Sequence, residues 1–346
     1  MILRSNTGGT QQTGVTTTIR KRTALSDLDT IRENPEWMPH RLDLQEGEVE
    51  FVRLPQSRFA EAGFLFEYRP SHPSDTFRIA VDKLAAFSVP HAPLHFIFHT
   101  AFCRSTLLSR ALNIRGIAIG LSEPPIIADL ASGGEATKGL IRPLLHLLAR
   151  ARPGGEAVFV KPTNHANRLI PQLLDAAPKA HAILMTNSLD PFLRSVRRRG
   201  LIGHRWGRKL YLEMQSYAGM DFGMPPEETF AMTDLQTAGA AWLLNQRYFD
   251  QLASSRFAER LRVLNGDYFN DSREETIAAV LDFCGLDIGT AKPATEIFAA
   301  HAKTGGPVRK QADDQILNEE IGQVRHWVDL IADQIGITVP TAQTLR

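Results

Sequence analysis

The chain has 346 residues, 43% of them hydrophobic, and a formal net charge of +1. That is enough apolar material for one large α/β domain or two small ones, and the near-neutral charge argues against a nucleic-acid binder. The two cysteines, Cys103 and Cys284, make neither a C-x-x-C pair nor a disulfide framework, as suits a reducing, cytoplasmic compartment, and no apolar run approaches the ~18 residues of a membrane span.

Residues 1–23 are rich in Thr, Gly and Gln, contain no acidic residue and lack the apolar core of a secretory signal. They read as a disordered tail. Residues 24–93 read as an N-terminal segment packing on the core, with a strand at 48–54, a short helix at 59–66 and another short element at 79–87. A buried strand follows at 94–98. The chain then turns polar and small through His99, Thr100, Ala101, Phe102, Cys103 and Arg104, and a helix begins at Ser105, with Leu107, Leu108, Ala111 and Leu112 on one face. Strand, tight turn and a helix opening on Ser-Thr is the geometry of a phosphate cradle, because backbone N–H groups there have no intrahelical partner and the helix dipole favours an anion. A buried strand joined to a core helix capped by Ser105 or Thr106 has the same pattern. No G-x-x-x-x-G-K-[ST] occurs in the chain, so an ordinary ATPase or GTPase lacks its main signature.

Gly116 is expected to end that helix. A strand at 117–121 then delivers Glu123-Pro124 to the sheet edge where ligands of open α/β sheets gather. Glu123 reads as a general base or as a solvated turn glutamate, with Asp129 a weaker alternative base. After a helix at 140–151 and a turn at 152–155, the strand at 158–160 ends in Lys161-Pro162. Lys161 reads either as an ammonium for sulfate or phosphate oxygens or as a snorkelling strand-end lysine. Leu169, Leu173 and Leu174 mark a helix that Pro178 breaks, 182–185 is a strand, and Asp190-Pro191 starts a helix carrying Arg194, Ser195, Arg197, Arg198 and Arg199. Residues 210–232 are the least patterned stretch, 235–252 is an amphipathic helix, 291–307 is loop-like and 316–335 is the final helix. Cys103, at a helix start, is a candidate low-pKa thiol. No histidine or cysteine set has zinc spacing, so no metal is expected.

Residues 94–112 resemble the phosphosulfate-binding loop of the sulfotransferase family: an apolar strand, P-[RK]-S-G-T-T, L-L and a helix. Aligned on Ser105-Thr106-Leu107-Leu108, Arg104 falls at the family's glycine, Cys103 at its serine and Phe102 at its Arg or Lys. Residues 157–196 are similar to the family's strand, K-[ST]-P, helix, P-x-A, strand, R-[DN]-P and helix. Lys161 ends the first strand, Ser195 lands at the 3′-phosphate-binding serine, and Asn187 stands where the family has an arginine. Residues 263–288 resemble its late strand, acidic-aromatic pair and helix ending F-x-G-L.

The resemblance, to a divergent member of bacterial type, implies a three-layer P-loop-type α/β fold with a central, mainly parallel sheet flanked by helices. It covers a core over 94–290, while residues 291–346, which carry little of the family's signal, read from their own pattern as a C-terminal helical segment. It further implies sulfuryl transfer from 3′-phosphoadenosine 5′-phosphosulfate, as co-substrate, to a hydroxyl or amine of a small-molecule acceptor, without metal, nucleic acid or membrane. The cofactor residues it implies are Thr100, Cys103, Arg104, Ser105, Thr106, Leu107, Asn187, Arg194 and Ser195. Lys161 or Arg104 would stabilise charge on the bridging oxygen, and Glu123, or else His99, would be the base. A non-catalytic nucleotide-binding protein is the rival reading. A small-molecule kinase is a third, disfavoured by the missing Walker lysine.

Overall fold

A computed structural model of the chain describes residues 24–58, 64–85, 88–219, 222–287, 289, 298, 315–336 and 344–345. The expected tail at 1–23, most of the 59–66 helix and all of the 291–307 loop except Phe298 lie outside the described residues. Elements in chain order are α1 (Ala24–Glu33), β1 (Trp37–Asp43), β2 (Glu48–Arg53), β3 (Thr76–Ala80), α2 (Val81–Ala85), β4 (Leu94–His99), α3 (Ser105–Ala111), β5 (Ala118–Ser122), α4 (Pro125–Gly133) and α5 (Lys138–Leu148). They continue with β6 (Ala157–Lys161), α6 (Ile170–Ala176), β7 (Ala182–Thr186), α7 (Leu189–Arg198), α8 (Gly200–Gln215), α9 (Pro226–Ala231), α10 (Asp234–Ala253), β8 (Leu261–Asn265), α11 (Gly266–Asp271), α12 (Arg273–Phe283) and α13 (Gln315–Gln334).

The centre is a five-stranded sheet in the order β5-β6-β4-β7-β8, parallel at every pairing. β4, β5, β6 and β7 are buried at every residue, as expected of strands covered on both faces, which read as continuous apolar runs. One face carries Ile97, Phe159, Ile183 and Met185 against Leu107, Leu108 and Ala111 of α3 and Ile277, Val280 and Leu281 of α12. The other carries Phe96, Phe98, Val158, Val160 and Leu184 against residues of α4, α5, α6 and α10. Helix layer, sheet and helix layer make the three-layer α/β architecture. The outer strand β8 is shielded by the chain's end: Thr344 and Leu345 donate their N–H groups to the Val263 carbonyl at 3.0 and 3.1 Å, so the edge presents no free ladder there.

The leading segment folds as an antiparallel sheet, β1-β2-β3. Trp37, Phe51 and Phe77 cluster on it, with ring centroids 4.5 Å apart for Trp37–Phe77 and 5.5 Å for Phe51–Phe77, and it joins the same hydrophobic core as α4 and α5. The register slips between Pro39 and Arg41. His40 is therefore the extra residue of a bulge, next to a proline that cannot donate to the ladder.

The structure corrects or refines the sequence expectations at four places. The helix after the loop ends at Ala111, before Gly116, whose φ of +78° serves the turn between Ile114 and Ala118. Residues 210–215, at the start of the least patterned stretch, complete α8, where Leu210, Tyr211 and Met214 are buried on the core side. Next to the stretch of 59–66 that lies outside the described residues, the chain makes a 3-10 turn at Leu65–Glu67. Residues 79–87 are not one element: Ile79 and Ala80 end β3, and α2 follows at once.

Candidate functional site

α3 leaves β4 toward one face of the sheet, whereas α6, which follows β6, packs on the other. β4 and β6 are neighbours, so the connections leaving their carboxyl ends part to opposite faces, the topological condition for a crevice there. In open α/β sheets such a switch point is where ligands bind. Here it receives Lys161 from the end of β6, His99 from the end of β4 and Glu123 from just beyond β5.

These three side chains touch. Lys161 Nζ donates to Glu123 Oε1 at 2.6 Å and lies 3.3 Å from His99 Nε2. The Ala101 N–H donates to His99 Nδ1 at 3.1 Å, which assigns the imidazole proton to Nε2, from where it is donated to the Pro162 carbonyl at 3.1 Å. Lys161 is fully buried, while Glu123 keeps 16% of its side chain exposed. Burial lowers the Lys161 pKa, and the Glu123 carboxylate opposes that shift. Phe64, from the leading segment, sets its ring 5.6 Å from the same ammonium. Lys161 therefore meets the site through Glu123 rather than as an open cation.

The loop after β4 is strained. Ala101, Phe102 and Arg104 have φ of +74°, +54° and +65°, and Glu123 has +54°. Left-handed backbone at a residue with a Cβ costs about 1–2 kcal/mol, and such strain clusters at ligand sites. Asn187 supports the loop. Its Oδ1 accepts from the Thr100 hydroxyl at 3.3 Å, its Nδ2 donates to the Phe102 carbonyl at 3.5 Å, and its own carbonyl accepts from Trp242 Nε1 at 2.9 Å. Arg104 turns away from the loop interior: its Nη1 donates to Asp267 Oδ1 at 2.9 Å and to the Gly266 carbonyl at 3.2 Å. Gly266 permits this contact, since a Cβ there would stand 2.2 Å from the Cys103 carbonyl oxygen.

Ser105 and Thr106 open α3 and are buried, as is Leu107. Thr100 is fully buried at the loop's start. Cys103 is not a low-pKa thiol: burial raises it, and hydrogen bonds from Ser105 only partly oppose that. Arg194 reaches α13, donating to Asn318 Oδ1 at 2.6 Å. The Ser195 hydroxyl donates to the Pro191 carbonyl at 2.8 Å and accepts from Arg198 Nη2 at 2.9 Å. The structure thus gathers Glu123, Lys161, His99, Thr100 and Asn187, and gives Arg104, Arg194 and Ser195 other partners. Asp129 is remote in role, chelating Arg41 at 2.8 and 3.0 Å and accepting the Leu42 N–H.

Sequence reasoning assigned no role to Asp267, Asn167 or Phe64. Asp267 carried a signal, as the acid of the acidic-aromatic pair after a late strand. Asn167, whose Nδ2 donates to the His99 carbonyl at 3.1 Å, carried none. Three buried polar atoms, Ser122 Oγ, Asn164 Nδ2 and Asn167 Oδ1, have no hydrogen-bond partner among the described residues. Ser122 pairs in register with Lys161, so the two side chains share a sheet face. Among the described residues no group of three or more His, Cys, Asp or Glu side chains could hold a metal ion, and no helix is long and apolar enough to cross a membrane. A hollow of about 350 Å³ lies away from this crevice, against β1 and β2, lined by Arg41, Asp43, Glu48, Glu50 and Arg78.

Solved structures to which this fold is similar include a sulfotransferase domain from the curacin biosynthetic pathway, at 13% identity, covering 73% of this chain and 100% of that one with a TM-score of 0.39. A sulfotransferase from Alicyclobacillus acidocaldarius matches at 14% identity over 72% of this chain and 98% of that one, with a TM-score of 0.40. A sulfotransferase domain from the Synechococcus PCC 7002 olefin synthase matches at 11% identity over 74% and 98%, with a TM-score of 0.38. No family model and no curated protein matches the chain.

Proposed function

We propose that the chain is a sulfotransferase-like enzyme passing a sulfuryl group from 3′-phosphoadenosine 5′-phosphosulfate to a hydroxyl or amine of a small acceptor. The observation that supports this most is the Glu123–Lys161–His99 cluster at the β4/β6 crevice, beside a loop held in left-handed backbone at three non-glycine residues. The residues fit the nucleotide in part. The loop supplies backbone N–H groups and the Thr106 hydroxyl for a 5′-phosphate, and the partnerless Ser122 and Asn164 atoms are polar groups that a bound ligand would satisfy. Ser195 would hold the 3′-phosphate together with Arg198 once its hydroxyl turns from the Pro191 carbonyl, to which it donates in this structure.

The donor supplies an activated sulfuryl group. Glu123, the exposed member of the cluster, takes the proton from the acceptor at its free oxygen, while Lys161 fixes the carboxylate from below and His99 ties the pair to the loop through Ala101. A base so positioned contributes about 10²- to 10⁴-fold.

Calorimetric titration with 3′-phosphoadenosine 5′-phosphate, run beside a labelled sulfuryl-transfer assay on phenol, alcohol and amine acceptors, tests this reading. Wild type is expected to bind the nucleotide in the micromolar range. Glu123→Gln is expected to keep that affinity and lose transfer by about 10²-fold or more. No binding at millimolar nucleotide overturns the reading. A second reading, nucleotide binding without turnover, is favoured by the internal pairing of Arg104 with Asp267 and Lys161 with Glu123. Nucleotide binding with no transfer to any acceptor selects it.

A further inference from the structure

We infer that Arg199 is the cation that contacts an oxyanion group of the nucleotide, held in place by stacking on Phe102; the inference rests on the nucleotide reading above. It starts from an accounting of positive charge around the loop. Arg104 is neutralised by Asp267 and Lys161 by Glu123. Arg194 is engaged by Asn318, Arg198 by Ser195 and Arg208 by Asp234. Arg199 is exposed and has no carboxylate partner among the described residues. Its guanidinium carbon lies over the Phe102 ring, 5.0 Å from the centroid. A guanidinium on a ring face is attracted by the π system and commits none of its N–H donors to that contact. The donors stay available to a phosphate or sulfate, which planar guanidinium geometry suits.

The support beneath Arg199 is built. Phe102 is one of the strained loop residues, and its ring packs on Trp206 at 5.1 Å and Phe192 at 5.8 Å. Left-handed backbone at a bulky aromatic persists only where its surroundings over-determine it, and this aromatic cluster does so. Arg199 itself caps α7, with its N–H donating to the Val196 carbonyl at 3.1 Å. The chain reverses at Gly200, and α8 comes back so close that a Cβ on Gly203 would stand 2.2 Å from the Val196 oxygen and 2.8 Å from the Arg199 Cβ. Arg197 and Arg205 also lack a carboxylate partner among the described residues, but it is Arg199 that loop, aromatic cluster and glycine corner together hold against the loop, over Phe102, which itself offers no charge.

The test titrates wild type, Arg199→Ala, Arg199→Lys, Phe102→Leu and the control Arg197→Ala with 3′-phosphoadenosine 5′-phosphate and with adenosine 5′-monophosphate. Arg199→Ala is expected to weaken the bisphosphate about tenfold. Arg199→Lys should recover part of that, and Phe102→Leu should lose about threefold by removing the π face. Arg197→Ala should stay within about twofold. A loss confined to the bisphosphate assigns Arg199 to the 3′-phosphate; a loss with both nucleotides assigns it to the 5′ side. Arg199→Ala binding both nucleotides as tightly as Arg197→Ala overturns the inference while leaving the function reading intact. Wild type binding neither nucleotide overturns that reading, and the inference with it.

Discussion

The molecule treats charge in two ways, and its two sheets display the contrast. At the carboxyl end of the parallel sheet, one lysine is fully buried and meets one carboxylate at 2.6 Å. On the antiparallel sheet, Arg78 is 44% exposed and faces Asp43, Glu48 and Glu50 at 3.6 to 4.0 Å. The second arrangement has more partners and the worse geometry. Its charges sit in high dielectric, where an ion pair contributes about 0–1 kcal/mol. In the first the lysine has lost its water while Glu123 keeps 16% of its side chain exposed, so the ammonium depends on that one carboxylate. Buried pairs are costly to break even where they add little net stability. Counting ion pairs would therefore rank the two regions in the wrong order.

The largest effect is expected from Glu123→Ala, which leaves the Lys161 ammonium buried beside a histidine whose Nε2 already carries a proton. It should cost about 3–5 kcal/mol in denaturant unfolding. Glu123→Gln keeps an acceptor for Lys161 and should cost clearly less. Equal losses in the two variants would mean that shape, not charge, holds the pair.

Acid sharpens the comparison, because each sheet also buries a neutral imidazole. His40 lies in the β1 bulge, with its pKa lowered from 6.5 to about 4 by burial first and then by Arg69 and Arg41. His95, in β4, is lowered to about 4 by burial and then by His181. Both folded values lie below the unfolded one. As pH falls through 6.5 the unfolded chain takes up protons first, so stability present above pH 6.5 is lost toward pH 4. Each group can contribute up to about 1.4 kcal/mol per pH unit, or about 4 kcal/mol together by pH 5. Denaturant midpoints between pH 7 and 5 check this, and His40→Gln and His95→Gln should each remove about half of the slope. A slope that vanishes with only one of them would mean that the sheet, rather than burial, decides.

Much of the parallel core was legible in the chain because its strands are short apolar runs with one breaker each. The run before His99, the Lys161-Pro162 stop and the Asp190-Pro191 helix start are local signals. The strand at 37–43 was missed: it carries Pro39 and a bulge at His40, so its alternation is broken, and its burial comes from α4 and α5 far along the chain. In the candidate site, Glu123 and Lys161 were visible as strand-end polar residues, but their contact was not. It depends on β5 and β6 being neighbours in a sheet where β4 lies next on the other side. The redirection of Arg104 was invisible for the same reason: its partner Asp267 lies 163 residues away.

The smallest expected effect is the one that best tests the contrast. Arg78→Ala removes the only cation paired with Asp43, Glu48 and Glu50 among the described residues. Two opposing terms follow. Three carboxylates lose a partner and repel one another slightly more, while a long side chain no longer has to be ordered. At 25–42% exposure the carboxylates remain hydrated, so both terms are small, and the net change should stay within about 0.5 kcal/mol at 0.15 M salt. Raising the salt toward 1 M shortens the screening length to about 3 Å, below every Arg78 contact, and should erase whatever remains. A loss above about 1.5 kcal/mol that persists at high salt would place Arg78 in a desolvated network like that of Lys161. The difference between the sheets would then be one of degree, set by distance rather than by water.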